Sequence, residues 1–429
     1  KARGMEPAIT ASTGIAATHI HGMTIHAWSG IGIAQSLSPE DLDGIASREY
    51  VVKRIRPAKV LIIDEISMLS ANTLDMVEAV VREVRQSSDV FGGLQIVLVG
   101  DFFQLPPIVR NVSNQSSQDA FFPDEQQGIY AFTGSAWKRA KPIVSYLTEQ
   151  HRQDDPEYLG VLSAIRTNEL TETHRAHIAS RKVNAKLPRG ITKLFSHNAD
   201  VDRINAEELA KLPGMPKRFS MTSRGRESLV ETLKRGCLSP NILELKEGAS
   251  VMFTKNSIQG GFVNGTLGTV TGFASESGYP EIRTLTGRKI TVTPLDWNIE
   301  ENGKSLATIS QLPLRLAWAM TVHKSQGMSM DAAVMDLSSA FEYGQGYVAL
   351  SRVRRLKGLH LLGINARALE VHPGILEKDA AFREQSEIAG SSFAELGKDE
   401  LDKLHRNFVI ASGGSETVLK ASKKKTKRK

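Results

Sequence analysis

The sequence predicts an α/β fold built on largely parallel sheet, and three features of its 429 residues carry that prediction. Val60–Asp64 (VLIID) and residues 94–100 (LQIVLVG) are nearly unbroken runs of Val, Ile and Leu without polar alternation, as strands covered on both faces require. Between them Leu74, Val77, Val81 and Val84 recur at three- and four-residue spacing, with Ser70 placed to cap the helix they define. Strand, helix, strand is a crossover unit, and such units build parallel sheets.

Composition bounds the rest. With 41% hydrophobic and 24% charged residues, the chain is neither disordered throughout nor of low complexity, and its length suits two to four globular domains. No window approaches the roughly 18 consecutive apolar residues of a bilayer span, so no membrane partner is expected. Cys237 is the lone cysteine and cannot form an internal disulfide, which fits a reducing compartment. The net charge of +7 arises in the tail: the last ten residues (KASKKKTKRK) hold seven Lys or Arg, and without them 47 basic residues face 47 acidic ones. Charge alone therefore does not mark the body of the chain as a nucleic-acid binder.

Residues 1–150 read as a first α/β domain, with a polar surface loop over 111–127 and a helix following from 155 to 168. Residues 173–199 contain no acid and six basic side chains (Arg175, Arg181, Lys182, Lys186, Arg189, Lys193), either a solvated stretch between domains or a phosphate-facing surface. From 249 to 312, short β-rich runs are punctuated by Asn264-Gly265, Thr286-Gly287 and Asn302-Gly303, the pattern of a small all-β module. The α/β style resumes with a strand over 314–320, a helix from about Thr321 and a strand over 332–337. The β module is thus inserted in a second α/β domain formed by 151–248 and 313–370. Residues 385–429 lose strong periodicity and end in the basic run.

Asp64 and Glu65 close an apolar strand, which puts two carboxylates at the carboxyl edge of a sheet, where α/β proteins bind ligands. In a nucleotide hydrolase the first acid holds Mg²⁺ on the phosphates and the second orients the attacking water; otherwise the strand merely ends in a charged turn. The next run exits through Gly100-Asp101-Phe102-Phe103-Gln104-Leu105-Pro106-Pro107, leaving the Gln104 amide beside those acids, able to accept from a water and donate to a phosphate. Arg152 and Arg352 carry guanidinium forks suited to charge spread over phosphoryl oxygens, although either alone reads equally as a surface ion pair. Thr321-Val322-His323-Lys324-Ser325-Gln326-Gly327, at a helix start, would form an anion site. Near the beginning, Thr13, Thr24, His26 and Trp28 offer donors and a flat face to a single strand, with core burial the alternative for Trp28.

The segments TASTGIAA, GMTIHAWSGIG, LIIDEISML, VFGGLQ, VLVGDFFQLPP, HRQ, LPLRLAWAMTVHKSQG and YVALSR resemble, in order, the motifs of the petite integration frequency (PIF) helicases, RecD-like members of helicase superfamily 1B. The likeness runs from about Ile9 to Leu362. It implies two RecA-like P-loop NTPase domains with ATP and Mg²⁺ between them, a wedge element near residues 31–57 and an SH3-like insertion at 249–312. It also implies 5′-to-3′ translocation on single-stranded DNA and unwinding of duplexes, forks, G-quadruplexes or RNA–DNA hybrids by a monomer, in repair, recombination, replication and telomere maintenance. Carried over motif by motif, Asp64 binds Mg²⁺ through ATP, Glu65 activates water, and Gln104, Arg152 and Arg352 contact the phosphates, with Gln326 and Gly327 also at the nucleotide. Thr13, Thr24, His26, His323, Lys324 and Ser325 face DNA, joined by Arg354, Arg355 and Lys357, although a solvated helix end explains that last cluster equally well.

One departure stands out: no G-x-x-x-x-G-K-[ST] loop occurs in the sequence. Its one Gly-Lys-Ser, at 303–305, has Asn298 where a glycine is required and reads as a hairpin turn. The chain opens at Lys1 without an initiator methionine, so the expectation is a fragment whose first domain is truncated at its N-terminus and hydrolyses little ATP, the full-length parent being the active motor. The alternative is a non-catalytic relic that grips single strands. The tail KKKTKRK fits a nuclear localisation run, and this helicase class also reaches mitochondria.

Overall fold

The computed structural model describes residues 4–20, 22–32, 34–107, 129–183, 191–196, 198–257, 260–262, 264–301 and 304–415. The expected polar loop at 111–127, Lys186, Arg189 and the basic run at 423–429 lie outside these residues.

The first lobe holds a four-stranded parallel sheet in the order Met23–Thr24, Ala8–Ala11, Val60–Asp64, Gln95–Leu98. Helix Ala71–Arg85 makes the crossover, and Ser70 caps it by accepting from the Thr73 N–H at 3.1 Å. Its stripe of Leu74, Val77, Val81 and Val84 packs in one core with Ile55, Leu61 and Ile63, each fully buried aliphatic chain contributing about 1.5–3 kcal/mol. Trp28 is 3% exposed in the same core, so it offers no stacking face for a base. Residues 31–57 form two short helices, Pro39–Ala46 and Glu49–Ile55, which drive Ile45, Val51 and Ile55 into that core.

The run at 94–100 is not covered on both faces as its composition predicts. Gln95–Leu98 ends the sheet, Val97 and Val99 are 39% and 44% exposed, and a cavity of about 1030 Å³ opens beside them. An edge strand lacks the neighbour that would hide its side chains.

The second lobe repeats the theme, with Ala319–Thr321, Lys193–Phe195, Ala333–Leu337 and Leu359–Ile364 in parallel order. Helix Pro156–Thr167, capped by Asp155 and ended by Asn168 at φ +57°, packs Tyr158, Val161, Leu162 and Ile165 onto it. Phe103 and Leu105 of the first lobe enter this second core, so the loop that follows Gly100 is shared. In the acid-free stretch, Arg181 donates to the carbonyls of Leu359 (3.0 Å) and Lys357 (3.1 Å) and thus seams the sheet edge.

The β structure is wider than the interval 249–312. Lys289–Thr291, Pro280–Thr284, Leu267–Phe273, Ser250–Phe253 and Leu314–Leu316 form one antiparallel sheet. Leu295–Glu301 and Lys304–Gln311 pair with Thr222–Gly225 in another, and Lys217–Ser220 pairs with Ile242–Leu245. Lys304 and Ser305 open the second strand of a hairpin, as their sequence suggests. The single strand expected at 314–320 is two: Leu314–Leu316 joins the antiparallel sheet, and Ala319–Thr321 the parallel one. Asn205 enforces the switch, bonding both the N–H and the C=O of Ala319.

The helix expected from Thr321 is also absent. Only a 3₁₀ turn forms at His323–Ser325, closed by Gly327 at φ +75°. Beyond 370, Pro373–Ala394 and Lys398–Ala411 are regular helices, and their weak patterning follows from surface placement, with Ile388 and Ile410 exposed. Among the described residues no helix is long and apolar enough to cross a membrane.

Candidate functional site

The site is assembled where the carboxyl ends of the first sheet meet the second lobe. At the end of Val60–Asp64, the Asp64 carboxylate accepts from the Glu65 N–H at 3.0 Å. Glu65 itself sits at φ +52°, a left-handed backbone that costs a non-glycine residue about 1–3 kcal/mol and turns its side chain away from the strand. Gly100 lies against this turn: a Cβ there would stand 2.9 Å from the Ile66 nitrogen.

Asp101 organises the next strand end. Its carboxylate accepts from the Phe103 N–H (3.2 Å), the Gln104 amide (3.3 Å) and Arg166 Nη1 (3.0 Å). The Gln104 carbonyl oxygen in turn accepts from Gln326 Nε2 at 3.3 Å, across the seam between lobes. Gly344 closes that seam, with no room for a Cβ beside the Phe103 carbonyl.

The two arginines are held by a staple. Gln153 donates to the carbonyls of Ser351 (2.9 Å) and Val353 (3.2 Å), Asp155 accepts from the Leu356 N–H (2.9 Å), and Asp154 pairs with both nitrogens of the Arg355 fork. These bonds fix the Arg152 loop on the Arg352 turn. Arg352 is 1% exposed, and its Nε and Nη2 donate to the Val348 carbonyl and the Ser351 hydroxyl at 2.8 Å.

Electrostatics shows that these groups feel one another. Burial raises the Glu65 carboxyl above its ordinary range; Asp64 and Asp101 add to this, while Arg352 and Arg152 oppose it. Burial, followed by the Arg152 charge, pushes Arg352 down to about 9. Two crowded guanidinium groups with incomplete compensation favour an incoming anion, and a carboxylate with raised basicity favours taking a proton. That combination suits phosphoryl transfer to water.

Comparison with known proteins decides the family. The PIF1-like helicase model matches residues 1–157, and the model for the 2B domain of DNA helicase Pif1 matches residues 228–273. The ATP-dependent DNA helicase Pif1 of a Psychrobacter species is 38% identical over 97% of this chain and 70% of its own length. The chain belongs to the PIF1-like helicase family. Human ATP-dependent DNA helicase PIF1 is 39% identical over 87% of this chain, which spans 57% of that relative. Among solved structures, Pif1 from a Bacteroides species in complex with ADP-AlF4 superposes with a TM-score of 0.76 at 29% identity, covering 89% of this chain and 88% of that one. A second Bacteroides structure, in complex with ADP-AlF3 and single-stranded DNA, has a TM-score of 0.58 at 30% identity over 89% and 88%. The two parallel sheets are accordingly the two RecA-like domains of a PIF1-like helicase.

Within this PIF1-like chain the remaining expected residues fall into three groups. Thr13 and Thr24 both cap short helices, accepting from the N–H groups of Ala16 and Ala27 at 3.2 Å, and His26 is half-buried, with burial lowering its imidazole pKa below the ordinary value. His323 stands 3.7 Å from Glu342, and the Lys324 ammonium is pushed down by burial and then by Arg315. Arg354 lies 3.6 Å from Asp331, and Lys357 sits in the turn Leu356–Gly358.

One expectation needs correction. Ser325 is fully buried and its hydroxyl donates to the Val322 carbonyl at 2.7 Å, so it shapes the turn and has no surface for DNA. Arg355 is half-exposed and its fork pairs with Asp154, which ties it to the staple. Sequence reasoning missed Asp101 and Arg166. Asp101 was visible as a third strand-end acid; Arg166 carries no local signal beyond a cation ending an apolar helix.

Among the described residues no cluster of three or more His, Cys, Asp or Glu could cage a metal. A site of that kind fits Mg²⁺ bound by one carboxylate together with substrate phosphates, and Asp64 at its strand end is the residue that would hold it.

Proposed function

We propose that this protein is an ATP-driven DNA motor that translocates 5′ to 3′ on single-stranded DNA and unwinds duplexes ahead of it. The observation that carries this reading is the meeting of Glu65 and Gln104 from one lobe with Arg152, Arg352 and Gln326 from the other. ATP would lie in that seam, with Mg²⁺ held by Asp64 to neutralise phosphate charge. Glu65, already raised in basicity, accepts a proton from the attacking water. Arg152 and Arg352 receive the charge that spreads over the phosphoryl oxygens. The Gln104 carbonyl oxygen, now on Gln326, accepts from the water, and its amide nitrogen, now on Asp101, donates to a phosphate oxygen, and the lobes shift as it does so. Single-stranded DNA would cross both lobes along Thr13, Thr24, His26, His323 and Lys324, with Arg354 and Lys357 at the margin.

The family relationship supports single-stranded and forked DNA as partners, with G-quadruplexes and RNA–DNA hybrids as further substrates, a monomeric motor and service in repair, recombination, replication and telomere maintenance. The KKKTKRK run supports nuclear residence, with mitochondria a second address. The test, on the full-length parent, is ATP hydrolysis with and without single-stranded DNA, combined with strand displacement from duplexes carrying a 5′ or a 3′ tail. Hydrolysis stimulated by DNA and unwinding confined to the 5′ tail is the expected result.

A further inference from the structure

A second polar link joins the lobes beside the phosphate-facing arginines. Asp101 follows strand Gln95–Leu98 of the first lobe, and Arg166 ends helix Pro156–Thr167 of the second. Nη1 of Arg166 lies 3.0 Å from Oδ2 of Asp101, with the two side chains 19% and 22% exposed. The guanidinium is 4.5 Å from the Phe103 ring centroid and also donates to the hydroxyls of Tyr347 (3.1 Å) and Tyr146 (2.9 Å). Three hydrogen-bond acceptors on separate segments and an aromatic face use the planar fork in a way an ammonium cannot reproduce.

The pairing bears directly on Gln104. The oxygen of Asp101 that takes Arg166 also takes the Gln104 amide, and the other end of that amide is taken by Gln326. Both ends of Gln104 are therefore held by protein, and those two bonds set where its remaining N–H and lone pair point. Arg166 and Gln104 share one carboxylate oxygen, and Arg166 rides on the opposite lobe. A charge-assisted bond is the stronger of the two, so the position of the lobe that carries Arg166 bears on how firmly Asp101 holds the amide.

We propose that Arg166 is a positioning residue which, acting through Asp101, sets the place of Gln104 and so ties lobe movement to nucleotide sensing. The proposal rests on the motor reading above and adds the device that couples its two halves.

The experiment is fluorescence anisotropy of a labelled single-stranded oligonucleotide, titrated with the full chain in Mg²⁺ with and without ADP-aluminium fluoride, for the unaltered protein, Arg166→Gln, Arg166→Lys and Asp101→Asn. In the unaltered protein the nucleotide changes DNA affinity about tenfold, an ordinary coupling between sites. In Arg166→Gln the affinity without nucleotide stays within about twofold while the nucleotide effect falls below about threefold. Asp101→Asn, which keeps an acceptor for Gln104 but cannot hold the cation, gives the same loss, and Arg166→Lys recovers part of the effect. A purely structural role would lower the melting temperature and leave the ratio of affinities alone. An unchanged ratio in Arg166→Gln or Asp101→Asn overturns the assignment. Absence of any nucleotide effect in the unaltered chain overturns instead the motor reading beneath it.

Discussion

Gln326 donates its side-chain amide to the Gln104 carbonyl oxygen at 3.3 Å, and the bond runs from the second lobe to the first. Each glutamine follows a turn at the end of its own parallel sheet, one after Gly100 and the other before Gly327. The lobes thus touch through two groups that can each donate and accept: Gln326 can turn its N–H to a phosphate oxygen, and the freed Gln104 carbonyl can accept from a water.

Replacing Gln104 with Ala removes that exchange. Steady-state hydrolysis in the presence of single-stranded DNA is expected to show kcat reduced about 10–100-fold with KM for ATP changed only a few-fold, since the amide acts most strongly on the transition state.

Glu65→Gln keeps the shape of the acid and removes its basicity. Unwinding is expected to disappear, with kcat falling by at least about 10²-fold, while single-stranded DNA binding is retained. Persistent unwinding would show that another group takes the proton.

The same substitution should alter stability with a defined sign. Because folding raises the Glu65 pKa, the folded state favours its protonated form; that advantage is complete below the unfolded value and is lost as pH rises through the folded one. Ionised Glu65 therefore weakens the fold at neutral pH. Thermal melting should find Glu65→Gln more stable than the parent at pH 7, with the gap closing toward pH 4.

Gln153→Ala tests the staple. Its amide serves two buried carbonyls, those of Ser351 and Val353, and losing it is expected to cost about 1–3 kcal/mol in urea unfolding. Hydrolysis should fall as well, because the Arg152 loop is released from the Arg352 turn.

Phe382→Ala tests the strap formed by helix Pro373–Ala394, which leaves the second lobe and places this ring 5.9 Å from Phe102 and 6.1 Å from Trp137 of the first. The ring is half-buried, so a loss of about 2 kcal/mol is expected by denaturant melting.

Much of this arrangement was legible in the sequence because it depends on local chemistry. The strand VLIID, the Ser70 cap, the Val77–Val84 stripe, the helix from 155 to 168 and the β runs punctuated by turns after 249 each encode their own conformation. The motif order then named the family. What escaped depends on distant partners. Nothing in LPLRLAWAMT says that the chain changes sheets at Ala317, because Asn205, more than a hundred residues earlier, makes the switch. Ser325 reads as a free hydroxyl until the turn folds and buries it. Nothing near Arg355 says that its partner is Asp154, 201 residues away. The role of Asp101 is likewise created by Arg166, whose helix gives no hint of its target.

The strand Gln95–Leu98 has a further consequence. Among the described residues it is paired on one side only, and it leaves Val97 and Val99 partly exposed beside the cavity. An edge of this kind is where an extended segment can add to a sheet.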